Sequence, residues 1–86
     1  MGEKHTIIGV HITDRLTEAV EVQKVLTQFG NQIKTRLGLH EVERAAPNGL
    51  LLLEMVGEDA GINAMIGKLN KIEGVEAKTL IFEHES

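Results

Sequence analysis

Cysteine is absent from this sequence of 86 residues. Its absence excludes a disulfide framework, a zinc site built on thiolates and a thiol nucleophile. It also suits a reducing compartment, and we expect a cytoplasmic protein. The longest uninterrupted apolar run is the four leucines at residues 50–53, whereas a membrane span needs about 20 apolar residues. The first residues lack the apolar core of a signal peptide, so we expect no membrane partner.

Aromatic residues are nearly absent as well, since the chain has no tryptophan, no tyrosine and only two phenylalanines. Its nine lysines and arginines are outnumbered by thirteen acidic residues, which gives a formal net charge of −4. Nucleic-acid binding needs cations clustered on one surface, and single-strand binders also stack bases on aromatic rings. We therefore expect no direct contact with nucleic acid.

The apolar pattern predicts six elements in the order βαββαβ. The strands are predicted at residues 5–13, 33–43, 50–56 and 75–83. Helices with an apolar stripe follow Asp14 and Asp59, and Gly30 and Gly74 are placed to end them. This is the split βαβ order. We predict an α+β, ferredoxin-like fold in one domain, 1–86, with an antiparallel sheet of strand order 4-1-3-2 and two helices on one face.

Period-two alternation places several large apolar side chains on the sheet face that the helices do not cover. They are Ile7, Leu50, Leu52, Leu80 and Phe82. A monomer seldom exposes so large a contiguous apolar patch. We therefore predict a homo-oligomer, a dimer or a tetramer, with these residues at the subunit interface. Strict alternation also places Ile33, Thr35 and Leu37 on a common face of the second strand.

The four histidines are the candidate metal ligands, and they lie far apart in sequence. They are His5, His11, His40 and His84. Because the first and last strands of this fold are neighbours, His5 and His84 can come close across the sheet. Zinc and nickel need three or four ligands at about 2.0–2.3 Å, so a histidine site would require a subunit interface. We expect no cofactor and keep this site as an alternative.

No pattern in the sequence indicates an enzyme. The carboxylate pairs Glu58 with Asp59 and Glu83 with Glu85 fall in a predicted loop or near the end of the chain, where ionised and solvated side chains are usual. No nucleophile elbow and no glycine-rich phosphate loop with its lysine is present. We predict a protein without enzymatic activity.

Residues 14–15, 25–26 and 29–33 resemble the first half of an ACT domain, the amino-acid-sensing module. The resemblance implies a ligand cleft, and its candidate residues are Asp14, Arg15, Thr17, Asn31 and Gln32. The sequence departs from the ACT pattern at two places. Leu16 and Thr17 stand where ACT domains usually have Pro-Gly, and Gln32 stands where asparagine is usual. The alternative to ligand binding is that Asp14 and Thr17 cap the helix and that the Arg15 side chain is exposed to solvent.

Nearly the whole chain resembles a family of proposed regulators of the iron-only hydrogenase system, whose members are similar to ACT domains and to the ligand-binding domain of nickel-responsive regulators. The resemblance rests on residues 10–15, 36–39, 48–53 and 67–79. It implies a homo-oligomeric regulatory module that binds a small effector between subunits and takes part in transcriptional regulation. The six elements leave no room for a DNA-binding domain, so such a role would act through a separate protein.

Two alternatives to an effector-sensing regulator remain open. The first is an accessory or assembly module that docks a protein partner and binds no small molecule. The second is a histidine-based metal sensor, although the His-x-His pair and the cysteine of the nickel regulators are missing here.

Overall fold

A computed structural model describes residues 2–13, 15–39 and 49–85, with the side chains in these ranges except those of residues 2, 3, 15–17, 39, 84 and 85. The elements are β1 (Gly2–Ile12), α1 (Arg15–Gln28), a 3₁₀ turn (Gly30–Gln32), β2 (Ile33–Leu39), β3 (Gly49–Met55), α2 (Asp59–Asn70) and β4 (Val75–Glu85). No helix in this part of the chain is long and apolar enough to cross a membrane.

The predicted ferredoxin-like topology is confirmed. The four strands form one sheet of order β2-β3-β1-β4, which is the predicted 4-1-3-2 order counted from the other edge, and all three neighbouring pairs are antiparallel. The long β1 strand is central, and its residues 6–12 pair with β3 on one side and with β4 on the other. Both β2 and β4 are therefore edge strands.

The core lies between the helices and one face of the sheet. The sheet contributes Ile8, Val10, Ile12, Leu53, Met55, Val75 and Ala77, and the helices contribute Val22, Leu26, Ile62, Met65 and Leu69. Burying an aliphatic side chain of this kind stabilises a fold by about 1.5–3 kcal/mol. Val20 of α1 is apolar but 59% exposed, so it lies outside the buried stripe of that helix.

The ends of the helices differ from the prediction at Gly30 and at Asp59. Gly74 has a φ of +85° and turns the chain into β4, as predicted, but the positive-φ residues of the described chain do not include Gly30. Gly30 instead begins the 3₁₀ turn after α1. Asp59 was predicted to cap α2, but it is the first residue of the helix, and Glu58 precedes it as the N-cap without a side-chain hydrogen bond.

A bulge near the start of β2 overturns the strict alternation predicted there. Ile33 pairs with Met55, whose side chain is buried under the helices, whereas Thr35 pairs with Glu54 on the opposite face. The extra residue between them shifts the register, so Ile33 packs on the core while Thr35 and Leu37 lie on the outer face. Such a bulge adds one residue to one strand and breaks the period of two.

Replacing Gly74 with alanine should destabilise the protein. A Cβ atom at Gly74 would meet the carboxylate of Glu18, and the positive φ costs a non-glycine residue about 1–3 kcal/mol. Gly67→Ala in α2 is the matched control, because a Cβ there meets no atom within 4 Å and the helix gains about 0.5–1 kcal/mol. Urea unfolding of both variants at one protein concentration measures the difference. Equal stabilities would contradict this description of the turn.

Candidate functional site: the ends of helix α1 and the outer face of the sheet

Gln32, a candidate ligand-binding residue, ties the 3₁₀ turn to the loop between β3 and α2. Its side-chain amide Nε2 donates hydrogen bonds to the carbonyl oxygens of Val56 at 3.2 Å and Glu58 at 3.1 Å. Val56 N–H in turn donates to the Gln32 carbonyl at 2.7 Å. Both amide hydrogens of Gln32 thus have acceptors within the chain. The side chain therefore holds the loop between β3 and α2 in place.

Two glycines make room for the Gln32 side chain. A Cβ at Gly61 would collide with its Oε1, and one at Gly57, where φ is +95°, would lie 2.9 Å from its Nε2. Sequence reasoning missed this contact. The signal was present in those two glycines, but only the fold shows which side chain lies against them.

The other candidate ligand residues that the structure describes lie near opposite ends of α1. Asp14 lies outside the described residues, as do the side chains of Arg15 and Thr17, but Arg15 begins α1. Asn31 is exposed in the turn just beyond the other end of the same helix. A helix of 14 residues is about 21 Å long at 1.5 Å per residue. A single chain therefore cannot bring both groups to one small ligand.

The outer face of the sheet is largely apolar, as predicted. Cross-strand register places Ile7 opposite Leu80 and His5 opposite Phe82, and Leu37 lies opposite Leu52. The five predicted interface residues all lie on this face, where Ile7 and Leu52 are half-buried and Leu50, Leu80 and Phe82 are 38%, 55% and 53% exposed. Leu37, which is 52% exposed, belongs to the same surface; sequence reasoning missed it because of the bulge.

One end of the outer face carries charge. Glu54, with its side chain 28% exposed, has its Oε2 atom 3.9 Å from Nδ1 of His5 and 4.0 Å from Nζ of Lys34. The Thr35 hydroxyl donates a hydrogen bond of 3.2 Å to the other oxygen of Glu54. Ion pairs as exposed as these contribute only about 0–1 kcal/mol. Their effect is to divide the face into an apolar region and a polar end.

The histidines do not form a metal site within the described part of the chain. His5 and His11 both lie on β1 but six residues apart, which is about 20 Å along a strand. His84 of β4 lies opposite Glu3 of β1, and Phe82, two residues before His84, lies opposite His5. His40 falls outside the described residues. No group of three or more metal-binding side chains occurs among the residues described. The histidine site stays a prediction.

A shallow groove of about 530 Å³ runs along the exposed side of α1. It is lined by Ala19, Val20, Gln23, Lys24 and Thr27. These residues occupy the middle of the helix, between the two groups of candidate ligand residues. The residues that line the groove include none of the candidate ligand residues.

Comparison with known proteins places this fold in a family. The sequence profile of the TM1266-like family, described as "Iron-only hydrogenase system regulator, putative", matches residues 4–79. The chain belongs to this family. Its fold is shared by TM1266 of Thermotoga maritima, an uncharacterized protein with 28% sequence identity and a TM-score of 0.81, over 93% of this chain and 99% of that one. No curated protein matches the chain in sequence.

More distant structures show the same fold in regulatory domains. The ACT domain of GTP pyrophosphokinase from Chlorobium tepidum is 18% identical, with a TM-score of 0.68 over 88% of this chain and 96% of that domain. CPII from Thiomonas intermedia, a nitrogen regulatory PII-like protein, has a TM-score of 0.64 at 5% identity, over 98% and 95% of the two chains. At these identities the likeness establishes the ACT-like, ferredoxin-like fold of this member of the TM1266-like family.

Replacing Gln32 with glutamate should destabilise the family member by about 1–3 kcal/mol. A carboxylate cannot donate, so two carbonyl oxygens would lose their partner and face a negative charge. Asn31→Asp is the matched control, because its exposed neighbouring side chain should tolerate the same change within about 0.5 kcal/mol. Chemical denaturation compares the two variants. If both lose the same stability, Gln32 does not have the structural role described.

Proposed function

We propose that this member of the TM1266-like family is a homo-oligomeric regulatory module that senses a small-molecule effector bound between its subunits. The observation that carries the proposal is the exposed apolar outer face on an ACT-like fold. Membership of a family of described regulators supports the regulatory role, and the ACT and PII-like neighbours have the same fold. The protein acts without catalysing a reaction, in the cytoplasm.

The location of the effector site follows from the length of α1. Arg15 and Thr17 lie at its start and residues 31–32 lie beyond its end, about 21 Å away. A two-fold axis beside α1, at a contact on the helix side of the sheet that is separate from the outer face, would bring the start of one helix toward the end of its antiparallel copy. An effector bound there would contact both subunits, so its binding free energy would stabilise the assembly.

The outer face supplies the reason for assembly. Leu37, Leu50, Leu80 and Phe82 are each at least 38% exposed in the single chain. Removing apolar surface from water contributes about 25 cal/mol per Å², and the polar end around Glu54 gives the contact a direction. A change in assembly then alters what a partner protein encounters. We propose that any effect on transcription passes through a separate DNA-binding protein.

A ligand screen by thermal unfolding tests effector sensing. A compound that binds the native state stabilises it by about 2.7 kcal/mol when present at 100 times its dissociation constant. We expect an amino acid or a nucleotide to raise the melting temperature, and Arg15→Ala to reduce that rise. Lys24→Ala, in the middle of α1, is the control and should keep the full response.

The other outcomes of the screen separate the alternative functions. If no compound raises the melting temperature of a stable oligomer, effector sensing is contradicted and docking of a protein partner is favoured. If divalent metals alone stabilise the protein, and His84→Ala or His40→Ala abolishes the effect, the metal sensor replaces the proposal.

Substitution on the outer face tests the subunit contact. Leu37→Glu places a carboxylate in the apolar surface, which is costly to bury, so the mass measured by light scattering should fall. Ala64→Glu is the control, because Ala64 is exposed on α2, away from the outer face and outside α1. An unchanged mass for Leu37→Glu, or the same loss in both variants, would contradict an outer-face contact.

A further inference from the structure

Three consecutive large apolar residues are exposed on the edge strand β4. Leu80, Ile81 and Phe82 are 55%, 50% and 53% exposed. Successive side chains of a strand point to opposite faces, and Ile81 pairs with buried Thr6 on the helix side, whereas Leu80 pairs with Ile7 on the outer face. A partner on the outer face alone would leave Ile81 in water. Only a contact along the strand edge reaches both faces.

Two sets of hydrogen bonds show which backbone groups of β4 face outward. Just beyond the paired residues, Thr13 N–H donates to the Gly74 carbonyl at 2.8 Å. The even-numbered residues of β4 therefore direct their N–H and C=O groups toward β1. Antiparallel strands alternate in this respect. The N–H and C=O groups of the odd-numbered residues, Ala77 and Ile81 among them, therefore point away from the sheet.

Asn70 closes one end of this free edge. Its side-chain Oδ1 accepts from Ala77 N–H at 2.7 Å, and its Nδ2 donates to the Ala77 carbonyl at 3.3 Å. The amide thus takes the place of a neighbouring strand at Ala77. In the described chain no strand lies on the outer side of β4, so the outward backbone groups of Thr79, Ile81 and Glu83 remain for pairing.

We propose that this segment, residues 79–83, pairs with the same segment of a second copy to form a continuous eight-stranded antiparallel sheet. The two-fold axis passes through Ile81, which lies opposite its own counterpart. Leu80 then lies opposite Phe82 on the outer face, twice by symmetry, and Thr79 lies opposite Glu83. Cross-strand pairs of this apolar kind each stabilise a sheet, by about 0.2–1 kcal/mol.

Other registers of the same edge fit less well. An axis at Leu80 would place Ala77, whose groups Asn70 already occupies, opposite Glu83, so only residues 79 and 81 could exchange backbone hydrogen bonds, whereas the axis at Ile81 uses residues 79, 81 and 83. An axis at Phe82 would place Ile81 against Glu83, and an axis at Glu83 would set two carboxylates opposite each other, which is destabilising. The Asn70 contact and the charge pattern therefore select one register, which is a property expected of a specific interface.

This edge contact involves a surface different from that of the outer-face contact proposed above, and the two can coexist. Joining two sheets edge to edge would double the outer face, and two such dimers could then pack face to face as a tetramer. Leu37 lies on the far edge strand β2, so its substitution reports on the outer face alone. Ile81, on the other face, reports on the edge alone.

Proline substitution tests which edge is used. Ile81→Pro removes an N–H that points away from the sheet, which is the position at which edge strands tolerate proline. The hydrogen bonds between β4 and β1 stay intact. Arg36→Pro is the matched control at the opposite edge, because Thr35 and Leu37 direct their groups toward β3 and Arg36 directs its own outward. In sedimentation velocity, Ile81→Pro should halve the mass of the assembly, and Arg36→Pro should leave that mass unchanged. The reverse result would overturn the proposal.

A cysteine cross-link tests the register and needs no proline variant to fold. The chain has no cysteine, so a single introduced one reports on itself. Facing residues 81 would have Cα atoms about 5.5 Å apart, within the range of a disulfide, whereas the two residues 79 would lie about 13 Å apart along the strands. Ile81→Cys should form a disulfide dimer on oxidation, much faster than Thr79→Cys. Equal rates, or no dimer from Ile81→Cys, would overturn the proposal.

Discussion

The packing of two helices against one face of a four-stranded sheet is the contact on which the rest of this structure depends. It supplies the core, in which Ile8, Val10, Leu53, Met65 and Leu69 are fully buried. Both helices of the described chain take part in this contact. No helix in that part of the chain therefore covers the opposite face of the sheet. Because a sheet that is apolar on both faces needs two covers, the same contact that makes the fold leaves a surface for other molecules.

The sequence predicted the architecture well because its signals are local. Alternation in β1, the continuous apolar run of β3 and the stripe of α2 identified the elements, and the βαββαβ order then restricts the possible sheets to a few. The errors came where a distant contact overrides a local rule. The bulge before Thr35 moved Ile33 into the core, and Gly30 began a 3₁₀ turn because Gln32 is held by the loop after β3.

The candidate site was less predictable than the fold for the same reason. Arg15 and Thr17 were proposed together with Asn31 and Gln32 from a family resemblance, yet α1 separates the two groups by its whole length. The carbonyl partners of Gln32, at Val56 and Glu58, lie 24 and 26 residues further along the chain. Nothing in the local pattern of residues 29–33 indicates those partners. The apolar outer face was predicted because it follows directly from alternation.

The central claim is that the uncovered apolar surfaces of this sheet are buried by further copies of the chain. Sedimentation velocity of the unmodified protein, over about 1–100 µM, is the most direct test, since these concentrations lie above the dissociation constants of most specific interfaces. We expect a dimer or a tetramer whose mass is constant over most of that range. A monomer at every concentration would contradict it, and would leave the outer face for a different protein.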